Sequence, residues 1–186
     1  MSAVQNSSEC QTQYNYTAVD NWKLPDPFTF ANGTPVLSRA DFTCRQAEIN
    51  TMFQQFELGT YPGPPDSVNA SMNNGNMDVQ VTMGGRSVTI SVAISAPDTT
   101  PGPAIINIGR ISALPIPSNV ATSSFDNDAF AAQLGPHSCG KGDFYTLFGS
   151  DHSAGAFTAW TWGVDRVIEA YPLILLCTVI TQKLND

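Results

Sequence analysis

The alternating segment MDVQVTMGGRSVTISVAIS, residues 77–95, places the strongest constraint on what this chain can fold into. β-Branched residues recur at every second position on both sides of Gly84 and Gly85, namely Val79, Val81, Val88, Ile90 and Val92. Alternation of this kind is typical of strands with one buried face, and paired glycines favour a tight turn. The segment therefore predicts a β-hairpin.

One more strand and two helices are predicted after the hairpin. Residues 101–109, PGPAIINIG, form a short apolar run between turn residues, which is typical of a strand buried on both faces in a parallel or mixed sheet. Helical patterns follow at residues 125–134 and 153–170. A hairpin followed by a buried strand and helices is typical of an α/β fold rather than a β-sandwich.

A further helix is predicted before the hairpin, at residues 41–57. Ser38 or Asp41 is suited to cap its start, and Gly59 is suited to end it. Apolar side chains recur there at helical spacing, at Phe42, Ile49, Met52, Phe53 and Phe56.

The composition narrows the function classes. The chain has 186 residues, which suits one domain, and a formal net charge of −8 with only 13% charged residues. An acidic chain whose lysines and arginines are scattered singly has no electrostatic footprint for nucleic acid, and anionic membranes repel it. Its longest apolar run, residues 172–180, is too short to span a bilayer.

The four cysteines are Cys10, Cys44, Cys139 and Cys177. They include no C-x-x-C pair, so a structural zinc site is disfavoured. A bridge between Cys10 and Cys44 would tie the proline-rich N-terminal arm to the first helix, and the chain-entropy model gives such a loop of about 35 residues roughly 3–4 kcal/mol. We expect Cys139 and Cys177 to be unpaired.

Four N-x-[S/T] sequons make Asn6, Asn15, Asn32 and Asn69 candidate glycosylation sites. Together with the low charge, they favour a secreted, extracellular protein. No signal peptide is visible, because the segment MSAVQNSSEC lacks an apolar core.

Asp151, His152 and Ser153 stand side by side and are the three residue types of a hydrolase triad. Adjacent side chains diverge, however, and triads are assembled from distant segments. A nucleophile elbow G-x-S-x-G would also require glycine at position 151. The favoured interpretation is structural: Asp151 or Ser153 caps the following helix, and His152 holds the loop in place.

The segment GPHSCGKG, residues 135–142, nearly matches a phosphate-binding loop. Gly142 stands where the magnesium-binding hydroxyl is required, and the preceding segment is predicted as helix rather than strand. A glycine-rich surface loop is therefore favoured over a nucleotide site.

Two further features leave alternatives open. Gly109 follows the predicted buried strand, where it either admits a ligand close to the backbone or forms an ordinary strand exit. The aromatic residues Phe157, Trp160 and Trp162 either line a sugar site or belong to the core. The core is favoured for Trp160, and both readings stay open for Trp162.

Four segments together, residues 24–33, 41–62, 103–109 and 144–170, resemble the fungal glucuronoyl esterases of carbohydrate esterase family 15. The resemblance implies an α/β-hydrolase fold, a three-layer sandwich, with residues 1–170 forming the N-terminal part of a single domain. It implies serine-type hydrolysis of the ester between 4-O-methyl-D-glucuronate of xylan and lignin alcohols, without a metal or organic cofactor. It also implies an N-terminal disulfide, in agreement with Cys10 and Cys44. We expect a monomer with a glucuronoxylan substrate and no nucleic-acid or membrane partner.

The departures from the family concern the site itself. The family's G-C-S-R-N-G-x-G nucleophile turn does not occur, and Arg110 stands where the family has glycine. The resemblance places the serine, the acid and the histidine beyond this chain, so it assigns no catalytic, cofactor-binding or metal-binding residue within it. Residues 171–186 form an apolar tail unlike the family. We therefore expect a domain truncated before the nucleophile elbow and inactive by itself.

The amino-acid sequence alone leaves three rival functions open. The chain is alternatively a non-catalytic carbohydrate-binding protein that uses exposed aromatic residues such as Trp162. It is alternatively a different esterase, of the acetyl xylan esterase or cutinase type, or an inert fragment of a mis-predicted gene.

Overall fold

The computed structural model describes residue 10 and residues 16–17, 23–95, 103–109, 115–135 and 139–183, with side chains of the last helix described as far as Pro172. The chain divides into two compact units, Met1–Thr60 and Tyr61–Asp186. No helix in these ranges is both long enough and apolar enough to cross a membrane.

The first unit is built around helix α1, Arg39–Phe53, which continues as one π-helical turn, Gln54–Leu58. This confirms the helix predicted at 41–57. Ser38 and Asp41 both take part in capping, because the Ser38 hydroxyl accepts from the Asp41 N–H and the Asp41 carboxylate accepts from the Ser38 N–H. The two bonds form a capping box that satisfies donors at the helix start.

The buried side of this helix is charged rather than apolar. Its buried residues are Arg45 and Glu48, whereas Phe53 and Phe56 are exposed. Arg45 pairs with Glu48 and donates from Nη2 to the Asp26 carbonyl at 2.9 Å. Glu48 in turn accepts from the Ala31 N–H at 3.1 Å. The ion pair is buried because it supplies partners to main-chain groups of an arm with little secondary structure of its own.

The N-terminal disulfide is present. Cys10 and Cys44 are bonded, with their Cα atoms 5.4 Å apart. Cys139 is exposed and forms no disulfide among the residues described, as expected. The prediction for Cys177 lies outside the described side chains.

The second unit contains a five-stranded sheet in the order β1-β2-β3-β5-β4. The first four strands in this order pair antiparallel, and β5 pairs parallel with β4. The strands are β1 Ser67–Asn73, β2 Asn76–Met83, β3 Arg86–Ser95, β4 Ala104–Ile108 and β5 Ala121–Phe125. The hairpin prediction is confirmed by β2 and β3, and all five of its predicted inward residues are buried.

Strands β1 and β5 were not predicted from the sequence. Strand β4 was predicted, but it is less buried than expected. The sequences of β1 and β5, SVNASMN and ATSSF, contain too few apolar residues for a strand pattern. The strand predicted within 101–109 is present as β4, but it is not buried on both faces. Ile105 and Ile108 are 42% and 54% exposed, because β4 is the last strand in the sheet order and pairs only with β5 among the described residues.

The helices of the second unit are α2 Asn127–Phe130, α3 Asp143–Phe148 and α4 Ala156–Lys183. The predicted helix 125–134 is much shorter than expected, because Phe125 completes β5 and Asp126 caps α2. The predicted helix 153–170 begins later and continues through Pro172 to Lys183. Proline at this point removes one main-chain donor without ending the helix.

Helix α4 packs on the face formed by the first three strands. The centre of this core is aromatic: Trp162 stacks on Phe130 with ring centroids 6.4 Å apart and meets Phe144 and Phe148 edge-on. Trp162 is fully buried. The open question for this residue is therefore settled in favour of the core, and the rival that required it to be exposed loses its main residue.

Candidate functional site

The carboxyl ends of the parallel strands β4 and β5 form the first place where this fold is suited to bind a ligand. The Gly109 N–H donates to the Phe125 carbonyl at 2.9 Å, which closes the end of the pair. Gly109 has φ +80°, and a Cβ atom at this position would lie 2.9 Å from Asn127 Oδ1. The backbone conformation therefore favours glycine here, and a larger residue would also require the Asn127 side chain to move. The prediction about Arg110 lies outside the described residues.

Polar groups surround this strand end. Asp126 caps α2 by accepting from the Ala129 N–H at 3.0 Å, and Asn107 donates from Nδ2 to the Ser123 carbonyl at 3.4 Å. The Ser123 hydroxyl is buried and has no partner among the described residues. These groups include no nucleophile–base pair.

The loop before α4 contains Asp151, His152 and Ser153. His152 is half-buried, and its ring contacts Phe144 and Phe148 with centroids 5.4 and 5.3 Å away. Its Nδ1 accepts from the Ala154 N–H at 3.1 Å. The interpretation of His152 as a residue that holds the loop agrees with these contacts, because the acceptor nitrogen of the neutral ring, Nδ1, is bonded to the backbone.

The interpretation of Asp151 or Ser153 as a cap of the following helix stays a prediction. Helix α4 begins at Ala156, so Gly155 occupies the N-cap position, and its carbonyl accepts from the Ala159 N–H at 3.0 Å.

Tyr145 also holds this loop in place, through a hydrogen bond. Its hydroxyl donates to the Ala154 carbonyl at 2.7 Å. Burial raises the pKa of Tyr145, and the neighbouring Cys139 thiol raises it further. A phenol with a raised pKa stays protonated and keeps donating at neutral pH, so Tyr145 acts here as a structural donor.

The glycine-rich loop 135–142 contains no phosphate-binding geometry in its described part. Gly142 has φ +114°, and a Cβ atom there would lie 2.5 Å from the Phe130 carbonyl oxygen. This glycine therefore permits close packing of the loop against α2, rather than leaving room for a phosphate. The helix that follows, α3, has only six residues. The prediction of a surface loop agrees with this arrangement.

A second polar cluster lies on α4, and sequence reasoning missed it. The Tyr61 hydroxyl donates to Asp165, and Arg166 pairs with Glu169 at 2.8 Å. Burial, and then the bond to Asp165, raises the pKa of Tyr61. The only sequence signal for the cluster is the i,i+3 spacing of Arg166 and Glu169, since Tyr61 lies 104 residues from Asp165.

Arg166 is buried and stacks over the Trp162 ring, with its guanidinium carbon 4.6 Å from the ring centroid. Trp162 itself donates to the Gly63 carbonyl at 3.0 Å. A cation over an indole face is stabilised by about 2 kcal/mol when both groups are desolvated. The cluster thus anchors α4, and the raised pKa of Tyr61 keeps its hydroxyl protonated as a donor to Asp165.

Nothing in the described part of the chain assembles a complete hydrolytic centre or a metal centre. No group of three or more His, Cys, Asp or Glu side chains in these ranges is placed to hold a metal ion.

Comparison with known proteins gives this scaffold a family. Residues 79–183, more than half of the chain, match the family described as glucuronyl esterase of fungi. A 4-O-methyl-glucuronoyl methylesterase of Thermothelomyces thermophilus is 55% identical over 161 residues, which cover 86% of this chain and 40% of the relative. The chain therefore spans less than half the length of this curated relative.

Solved structures of glucuronoyl esterases match this chain as well. The recombinant glucuronoyl esterase from Sporotrichum thermophile superposes with a TM-score of 0.82 at 53% identity, over 89% of this chain and 45% of that one. A serine-to-alanine mutant of the same enzyme, solved in complex with methyl 4-O-methyl-β-D-glucopyranuronate, matches equally well. The α/β-hydrolase fold expected from the sequence is thus confirmed for the matched part. The chain belongs to the family of fungal glucuronoyl esterases.

Proposed function

We propose that this chain supplies the N-terminal scaffold of a serine-type carboxylic ester hydrolase that cleaves the ester between 4-O-methyl-D-glucuronate of xylan and lignin alcohols. The observation that carries the proposal is the 53% identity and TM-score of 0.82 to a glucuronoyl esterase. The complex of the serine-to-alanine mutant with a methyl glucuronate ester supports the serine mechanism and the substrate class.

The scaffold role follows from what the described residues do. His152, Tyr145 and Arg166 each make contacts that fix loops or helix α4, and none of them forms a nucleophile–base pair. Residues 1–170 then belong to a single α/β-hydrolase domain, which is monomeric once complete, and residues 171–186 form an apolar tail. Neither nucleic acid nor a membrane is a partner in this proposal.

The experiment is a turnover assay with a benzyl ester of 4-O-methyl-glucuronic acid. The purified 186-residue chain is expected to show no hydrolysis above background, since loss of a triad member removes orders of magnitude in rate. A chimera that joins residues 1–170 to the unmatched part of the Thermothelomyces relative is expected to hydrolyse the ester. A folded but inactive chimera would contradict the proposed function. Turnover by the chain alone that a serine-directed inhibitor abolishes would contradict the scaffold role.

We also propose that the protein is secreted and glycosylated at Asn32 and Asn69. Both asparagines are exposed, and Asn69 lies on the outer strand β1. Asn6 and Asn15, the other two candidate sites, lie outside the described residues. Peptide mass spectrometry of protein secreted from a fungal host tests the proposal, with Ser71→Ala as the variant that removes the Asn69 sequon. Unmodified Asn32 and Asn69 peptides from secreted protein would overturn it.

A further inference from the structure

The sequence contains two Asn-Gly steps, Asn32-Gly33 and Asn74-Gly75. Asparagine is among the residues that degrade chemically on heating. Before glycine it is open to attack by the glycine nitrogen on its side-chain carboxamide, because glycine has no Cβ atom to obstruct the approach. In a folded chain the attack also depends on the hydrogen bonds of the two reacting groups, and these differ between the two steps.

The Asn32-Gly33 step is held at both reacting groups. The Gly33 N–H donates to the Phe30 carbonyl at 2.8 Å. The Asn32 carboxamide oxygen accepts from the Thr34 N–H at 3.0 Å and from the Thr34 hydroxyl at 2.7 Å. These three bonds must break before the Gly33 nitrogen can reach the Asn32 carboxamide carbon, and each of them opposes the opening.

The Asn74-Gly75 step forms the tight turn between β1 and β2. Asn74 and Gly75 have φ 49° and 82°, both positive as a type I′ turn requires. Both residues are exposed, and within the part of the chain that the structure describes nothing bonds to the Asn74 carboxamide or accepts from the Gly75 N–H. The Ile94 N–H donates to the Gly75 carbonyl at 3.1 Å, which does not engage the Gly75 nitrogen. The reacting groups of this step are therefore open to solvent and to each other.

From this contrast we propose that Asn74 is a site of spontaneous deamidation, with isoaspartate among its products. The Gly75 nitrogen gives its proton to water and forms a bond to the Asn74 carboxamide carbon. The bond from that carbon to the amide nitrogen breaks, and the nitrogen takes up a proton from water and leaves as ammonia, so that a five-membered succinimide remains. Water then opens the ring. Addition at the side-chain carbon leaves aspartate on a normal main chain, and addition at the main-chain carbon leaves isoaspartate.

Isoaspartate lengthens the main chain of the turn by one carbon atom. The register pairs Asn73 with Asn76 across the turn, and such a register depends on the turn geometry. Strand β1 lies at the end of the sheet order and pairs only with β2 among the described residues. Its residues Val68 and Ala70 pack against the core. Isoaspartate at position 74 is therefore expected to loosen β1 and to expose the part of the core that β1 covers.

Ageing of the unglycosylated chain tests the proposal. Protein from a bacterial periplasm, where the disulfide forms, is incubated folded at mildly alkaline pH, and peptide mass spectrometry follows both Asn-Gly steps. We expect Asn74 to deamidate roughly tenfold faster than Asn32 or more, because three hydrogen bonds keep the Asn32 step closed. The same protein unfolded in urea is the matched control, since both steps are exposed there and should react at similar rates.

Two variants isolate the effect on β1. Asn74→Gly accepts the positive φ but has no carboxamide, so it should keep β1 intact during ageing. Asn74→Asp carries the charge of the product on an unaltered main chain. Hydrogen exchange of the β1 amides measures the loosening. We expect faster exchange in the isoaspartate fraction of the wild type, and unchanged exchange in aged Asn74→Gly and in freshly prepared Asn74→Asp.

Equal deamidation of Asn32 and Asn74 in the folded chain would overturn the proposal, because the hydrogen bonds would then make no difference. Reaction of Asn74 only in urea would overturn it as well, since the turn would then block the attack. An isoaspartate fraction whose β1 amides stay protected would overturn the loosening of β1. None of these outcomes depends on the esterase proposed above, because no ester hydrolysis is measured.

Discussion

Helix α1 of the first unit buries Arg45 and Glu48, whereas helix α4 of the second unit buries Trp162 and Val167. The first unit adds a disulfide and a capping box to its ion pair. The second unit adds a sheet and a set of stacked rings. Directional contacts thus hold the smaller unit, and apolar burial holds the larger one. The comparison agrees with the rule that small units need covalent or ionic support because their cores are small.

The largest effect is expected for Trp162→Ala in the second unit. The ring is fully buried among Phe130, Phe144 and Phe148, so its removal leaves a cavity that rigid rings cannot fill. We expect a loss of about 4 kcal/mol in the free energy of unfolding, measured by urea denaturation. Phe157→Ala is the control, because Phe157 is mostly exposed and should change stability by about 1 kcal/mol or less. Equal effects of the two variants would break the comparison.

The disulfide of the first unit comes next. Replacing Cys10 and Cys44 by serine releases a closed loop with a sequence separation of 34, and the chain-entropy model gives a loss of roughly 3–4 kcal/mol. The loss should appear in limited proteolysis around the N-terminal arm before the sheet unfolds. Cys139→Ser, which removes an exposed thiol without a disulfide, is the control. If protease cleaved both units of the Cys10 and Cys44 variant at the same rate, the units would not differ in their dependence on the disulfide.

Glu48→Ala sharpens the comparison in the first unit. It leaves the buried Arg45 guanidinium with the Asp26 carbonyl as its acceptor and leaves the Ala31 N–H without its own. Breaking a buried pair from one side costs about 3 kcal/mol. The double replacement Arg45→Met with Glu48→Leu removes both charges and should cost less, its loss coming from the Asp26 carbonyl and the Ala31 N–H that it leaves without these partners. Denaturation of the wild type, Glu48→Ala and the double variant by guanidinium and by urea measures the free energy of unfolding of each. A double variant as unstable as Glu48→Ala would show that the charges stabilise the unit beyond satisfying each other.

The sequence predicts local features well and burial poorly. The β2–β3 hairpin was predictable because its alternation and its Gly84-Gly85 turn both lie within one short segment. Strand β5 was not, because its ATSSF sequence becomes a strand only through pairing with β3 and β4. For α1, periodicity gave the helix but not its buried side. The buried side depends on the Asp26 carbonyl and the Ala31 N–H, which lie in another segment and bond to Arg45 and Glu48.

Predictions about the candidate site divide in the same way. Those that rest on local geometry agree with the structure, and contacts between distant segments could not be predicted. The expectation that Asp151, His152 and Ser153 do not form a triad came from elementary geometry and agrees with the His152–Ala154 bond. The Tyr61–Asp165 bond was invisible, because no local pattern connects residues so far apart in the chain. The place of Trp162 stayed open because its burial depends on Phe130 and Phe144, which other helices supply, whereas the favoured reading of Trp160 agrees with its packing against the core.

The smallest expected effects concern acid titration, which should act on the two units in opposite directions. In the first unit, the Ser38 hydroxyl and then the Leu37 N–H lower the pKa of Asp41 below 3.8. The bond to Thr29 and then the Phe28 N–H lower that of Asp26. The stabilisation from these carboxylates is present above the unfolded pKa and is lost as the pH falls through the folded one. In the second unit, burial raises the pKa of Asp143, so protonation there removes a cost that the charged form imposes on folding.

Ser38→Ala tests the acid dependence at the helix start. The variant removes the first cause of the lowered pKa, so the pKa of Asp41 should rise toward 3.8, and the helix should lose about 1 kcal/mol from the missing cap. NMR titration of the Asp41 carboxyl measures the pKa, and denaturation at pH 7 and at about pH 3 measures the stability. Asp143→Asn is the matched variant in the second unit and should gain stability at pH 7 while changing little in acid. If instead both variants changed in the same direction at pH 7, the opposite electrostatics assigned to the two units would be wrong.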